Sequence, residues 1–167
     1  MKKILAAVIG CGMIGLLVPC VGASAISEEK QASVAENCET IKARLVTLQH
    51  SDSRTRVYLG RYYEVILSDF ITPLNIWLVG HNVSNTGLID NQSNFALKRG
   101  DFVSDYITYQ KSLEGLVAMD CKNEPSKFYD ELVRVREKRE IVENDVKKMR
   151  SLMTEQVMLV KDLRGKL

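Results

Sequence analysis

From Pro125 to Arg164 the chain repeats one pattern without a break. Phe128, Leu132, Val135, Arg139, Val142, Val146, Met149, Met153, Gln156, Val160 and Leu163 follow one another in alternating steps of four and three, and only Arg139 and Gln156 are polar. That spacing keeps one stripe of an α-helix turned toward a partner helix over many turns. It predicts a coiled-coil-like helix over 125–164, about 60 Å long at about 1.5 Å per residue, against which the other helices pack.

The same reading applied upstream predicts three more helices. Val34, Cys38, Ile41, Leu45 and Leu48 mark a first helix over 27–50, with Ser27 as its cap and Glu28 and Glu29 in the first turn, where the helix dipole favours acids. Ser51-Asp52-Ser53 is rich in capping and turn residues and predicts a break. Leu59, Tyr63, Ile66, Phe70, Leu74 and Trp77 mark a second helix over 54–79, with a kink or break near Thr72 imposed by Pro73. The polar run from Gly80 to Asn94 predicts an exposed loop. Phe102, Tyr106, Tyr109, Leu113 and Leu116 mark a third helix over 95–119, widened by Val103, Ile107 and Val117. A short link then leads into the last helix, with Asn123 as a cap and Pro125 in the first turn. No segment alternates with the period of two that a half-buried strand requires. The expected fold is all-α: an elongated, staggered antiparallel bundle of about four helices with a long C-terminal helix.

The first residues change the picture of compartment. Met1-Lys2-Lys3, an uncharged stretch from Ile4 to Ile26 and the small-residue run Ala23-Ser24-Ala25 have the three parts of a secretory signal peptide cleaved after Ala25, leaving 26–167 as one domain. Uncut, the segment is long enough to span a bilayer. Lipidation at Cys20 is disfavoured by the bulky Leu17-Val18-Pro19 before it. A membrane partner is thus expected only if this segment is retained or lipidated. Cleavage removes two of the 23 basic residues and none of the 21 acidic ones, so the formal charge falls from +2 to zero. A neutral chain has no global field for nucleic acid, and none is expected as a partner. Cys38 and Cys121 are the two cysteines that remain, an even pair in an exported chain, and predict one structural disulfide. In a simple up-down bundle, however, Cys38 would sit about 18 Å from the end that holds Cys121. That distance leaves three alternatives: the first helix slides past the third, the link after Met119 folds back, or the bridge does not form.

Chemistry is scarce. His50 and His81 with the two cysteines lack the close spacings that preorganise a zinc site, and no Gly-rich phosphate loop, nucleophile elbow or His-Glu-x-x-His pair occurs. No catalytic residue, metal or cofactor is assigned. Asn82-Val83-Ser84 and Asn91-Gln92-Ser93 match the glycosylation acceptor pattern, which a polar Asn- and Ser-rich loop produces by chance. The apolar residues broaden from Leu152 to Leu163, and with helices of unequal length about 20 Å of the last helix would overhang its neighbours. Leu152, Met153, Val157, Leu159, Val160 and Leu163 are therefore the expected partner surface. The functional expectation is an exported, non-enzymatic bundle that associates through its helices with itself or with an envelope protein. A holdase-like chaperone and a small-ligand-binding bundle, with a pocket near Tyr63, Pro73 and Trp77, are the alternatives.

Overall fold

The computed structural model describes residues 26–166, so the signal segment and its Ala25 cleavage site lie outside the described residues. The helices are α1 (Glu28–Glu36), α2 (Cys38–Val65), a π-helical turn (Ile66–Ile71), α3 (Thr72–Gly80), α4 (Thr86–Ala118) and α5 (Pro125–Lys166). No strand occurs among the described residues.

The fold is an all-α bundle centred on the antiparallel hairpin of α4 and α5. Its link is ordered by Asp120, whose Oδ1 accepts from the backbone N–H groups of Lys122 and Asn123 at 3.0 and 3.1 Å. Asp120 rather than Asn123 shapes this connection. Pro125 opens α5, where its missing N–H costs nothing. The whole predicted seam of α5 turns inward: Phe128, Val135, Val142, Met149 and Gln156 are buried, and the intervening seam residues are half-buried. Phe102, Tyr106, Tyr109, Leu113 and Leu116 face them from α4. Of the residues expected to widen this seam, Val117 packs against the core while Val103 and Ile107 stay largely exposed.

α2 crosses Ser51-Asp52-Ser53 without a break. It runs antiparallel to α4 and parallel to α5, as the pairs Glu39–Lys122, Gln49–Glu114 and Glu64–Arg99 show. Turn-prone residues are tolerated in a helix when their side chains find partners outside the local backbone. Asp52 does, on both other helices. The chain interrupts instead at Asn37, where a short α1 departs and packs on α5.

With no reversal at residue 51, Cys38 and Cys121 fall at the same end of the bundle. They lie at disulfide distance, with Cα atoms 5.5 Å apart. The separation expected from an early turn does not arise.

Pro73 does not break the rod. Helical backbone continues through Ile71 and Thr72, and the strain before the proline is taken up by the π turn. A π turn absorbs one extra residue, and everything after it rotates by one position. Ile71, Asn75 and Leu78 point inward where Phe70, Leu74 and Trp77 were expected. Asn82, at φ 55°, closes α3 in a Schellman motif: Val83 N–H donates to Leu78 O at 2.9 Å and Asn82 N–H to Val79 O at 3.1 Å.

The expected loop over 80–94 is also corrected. Only residues 81–85 form a turn, and α4 starts at Thr86. Its polar residues hold α3 in place. Asn75 Nδ2 donates to Gln92 Oε1 at 2.6 Å, Asn85 Nδ2 to Asn75 Oδ1 at 3.0 Å, and Gln92 Nε2 to Thr72 Oγ1 at 2.8 Å. Because α4 begins early, it reaches Leu159: a Cβ placed on Gly87 would stand 3.4 Å from Leu159 Cδ2. The overhang of α5 shrinks to its last residues.

Candidate functional site

Two features lie between α2 and the α4–α5 hairpin. At mid-height, Asp52 receives a two-pronged contact from Arg139, with Nε to Oδ2 at 2.9 Å and Nη2 to Oδ1 at 3.2 Å. Tyr109 Oη donates to the same Oδ2 at 2.8 Å. Burial, followed by the Asp52 carboxylate beside it, pushes the Tyr109 phenol well above its ordinary value. The hydrogen bonds to Asp52 raise the Arg139 guanidinium further still, so each keeps its proton at any physiological pH. Neither the Tyr109 hydroxyl nor the Arg139 guanidinium is therefore poised to exchange protons. The cluster explains why a cation interrupts the apolar seam of α5.

Toward the end away from the disulfide, an open groove of about 730 Å³ lies between α5 and the wall formed by α2 and the π turn. Tyr58, Tyr62 and Ile66 form one wall, and Met153, Val157 and Val160 the other. The groove also has polar lining. Gln156 is 1% exposed, and its Nε2 has no hydrogen-bond partner. Arg150 sits at the Tyr63 hydroxyl, where burial raises the phenol's pKa and the guanidinium pulls it back. Lys161 stands at the far end of α5's contribution, and among the described residues no carboxylate lines the groove.

The residues expected to form a partner surface divide. Leu152 and Met153 pack against the bundle's own core, Leu159 and Leu163 are half-buried, Val160 lines the groove, and Val157 is exposed. Cys38 and Cys121 are taken up by each other, so neither is available to join His50 and His81 in a metal site. Asn91 is buried and donates to Glu155 Oε2 at 2.9 Å, which closes it to modification.

A third feature escaped the sequence pattern. α3 is mostly apolar yet buries only one stripe, and the π turn before it adds exposed Phe70 beside the exposed polar pair Ser68 and Asp69. Phe70 is 64% exposed, Ile76 68%, Val79 59% and Trp77 46%, and α3 has no charged residue. Trp77 stacks on His81 with ring centroids 4.1 Å apart. The signal was present in the uncharged run Phe70 to Gly80, but regular helical spacing puts Phe70 and Trp77 on the packed face. Among the described residues no helix is long and apolar enough to cross a membrane.

Comparison of the chain with known protein families, curated proteins and solved structures finds no match.

Proposed function

We propose that this chain is an exported, non-enzymatic helical-bundle protein that acts by associating with a second copy of itself at the cell envelope, through the outer face of the π turn and α3. The observation that carries this reading is a charge-free helix, α3, that buries only Asn75 and Leu78 and, together with Phe70 of the π turn before it, leaves Ile76, Trp77 and Val79 exposed. A helix apolar all round is normally covered. The α3 part of this face carries no charge and can meet its own copy across a two-fold axis with no like-charge repulsion, with Asp69 of the π turn at its edge beside Phe70. The leader-like N-terminus and the Cys38–Cys121 pair support an oxidising compartment.

The protein carries its own reporter, since Trp77 is the only tryptophan. Light scattering on a sizing column should give twice the chain mass, and Trp77 emission should shift to the red on dilution. A combined Phe70→Ser, Ile76→Ser, Val79→Ser variant should run as a monomer with unchanged far-UV circular dichroism. A wild-type monomer at every concentration, with constant Trp77 emission, would overturn the reading.

A further inference from the structure

Residues 38–80 form one uninterrupted helical rod, and its solvent side carries an apolar seam of its own. Tyr58, Tyr62, Val65, Phe70, Pro73 and Trp77 follow one another in steps of four, three, five, three and four, and all six are exposed. Steps of three and four hold one side of an α-helix, and the single step of five falls on the π turn, whose extra residue it takes up. The exposed face of the π turn and α3 therefore continues for two turns back along α2. Tyr58 is 71% exposed and Tyr62 51%. At about 200 Å² per aromatic side chain, the exposed fractions of the four rings come to about 460 Å², more than half of the about 800 Å² that a standard interface takes from each partner.

One flank of this seam holds a pair of opposite charges. Arg61 stands four residues before Val65 and Asp69 four residues after it, and both are exposed. Each directly precedes a seam residue, Tyr62 and Phe70, so the two fall on the same side of the seam. Asp69 Oδ1 accepts from its neighbour Ser68 Oγ at 2.7 Å, and among the described residues neither Arg61 nor Asp69 makes an ion pair within its own chain. Between Tyr58 and Trp77 the sequence holds one other charge, Glu64, which Arg99 of α4 already holds.

We infer that the second copy packs antiparallel along this seam about a two-fold axis at Val65, with Arg61 of each copy paired to Asp69 of the other, an arrangement that rests on the self-association already proposed. A parallel pairing keeps Arg61 level with Arg61 and Asp69 level with Asp69, so neither charge reaches its opposite. Turning one rod end for end about Val65 exchanges the two positions and keeps them on one flank, so both ion pairs form at once. The same register sets Tyr62 beside Phe70 and Tyr58 beside Pro73 of the other copy, ring against apolar surface. Charges at fixed places beside an apolar seam set the direction and register of paired helices.

The test is sedimentation equilibrium of wild type, Arg61→Asp and Asp69→Arg, each alone, and of an equimolar mixture of the two variants, with far-UV circular dichroism of each. Both positions are exposed, so helicity should stay at the wild-type value. Each single variant sets like charges against each other twice in its dimer, which should dissociate at least about tenfold more readily than wild type. Mixed, the two variants should recover a dimer within about threefold of wild-type affinity, because their two changed positions meet as opposite charges while the unchanged Arg61 and Asp69 still pair. A wild-type monomer would remove self-association itself and this arrangement with it. A wild-type dimer whose single variants associate as tightly as wild type, or whose mixed variants do not recover, would leave self-association standing and overturn the antiparallel register.

Discussion

Removing the Asp52 carboxylate strands two groups at once. Tyr109 Oη is deep in the bundle and Arg139 loses both prongs of its contact. Asp52→Ala should therefore cost about 2 kcal/mol in urea denaturation, and Tyr109→Phe about 1 kcal/mol. Once Asp52 is gone the hydroxyl has lost its acceptor, so the double variant should cost less than the sum of the two. A strictly additive result would mean that the two side chains act independently. Arg139 was visible in the sequence as a cation in an apolar seam. That anomaly called for an acid on a facing helix, and Asp52 was hidden only because its serine neighbours suggested a turn. A second acid has the opposite character. Asp145 on α5 is almost fully buried, and burial, reinforced by the Asp105 carboxyl beside it, raises its pKa. Asp101 adds to the rise, while Lys148, with Nζ 3.9 Å from Oδ1, opposes it. A carboxyl whose folded pKa exceeds its unfolded one favours folding while protonated. Its contribution is complete below about pH 4 and is lost as pH rises through the folded value. Asp145→Asn should accordingly be more stable than wild type at pH 7, with the two urea midpoints converging toward about pH 4. An unchanged gap across that range would rule out this titration as the cause.

At the scale of elements, periodicity was a reliable guide wherever the backbone stayed α-helical. The seams of α4 and α5 and the first half of α2 bury the residues that their spacing selects, because one face of a regular helix must be apolar to pack. The pattern failed at the π turn for a definite reason: one inserted residue rotates all that follows, and no count at fixed period can anticipate it. It also failed over 86–94, where polar composition suggested a loop. Asn75, Asn85 and Gln92 are polar because they bond to one another across the α3–α4 contact, and composition cannot distinguish such an interface from solvent exposure. The groove was out of reach for the same reason. Gln156 stood out in the seam, but whether its amide has a partner is set by the packing between helices, which spacing along one helix does not record.

For the whole molecule, the two ends differ. One is tied by Cys38 and Cys121 and sits among packed aromatic and aliphatic residues; the other carries the groove and the exposed α3 face. Cys38→Ser with Cys121→Ser should lower the unfolding free energy by about 4 kcal/mol, read from urea denaturation in oxidising buffer, since the bridge spans a separation of 83 residues. The same denaturation in reducing buffer should bring wild type down to the variant. No difference between wild type and variant would show that the pair contributes nothing to the folded state.

The bridge also has a topological effect. It makes a covalent ring of everything from Cys38 to Cys121, which takes in α2, the π turn, α3 and α4, and leaves α1 and α5 as tails on either side. A protease that nicks the turn at residues 81–85 opens that ring without freeing a fragment, so the nicked protein keeps the α3 and α4 sides of the cut joined through the bridge. Only cleavage together with reduction would let it come apart, which makes the redox state of the surroundings the arbiter of its lifetime.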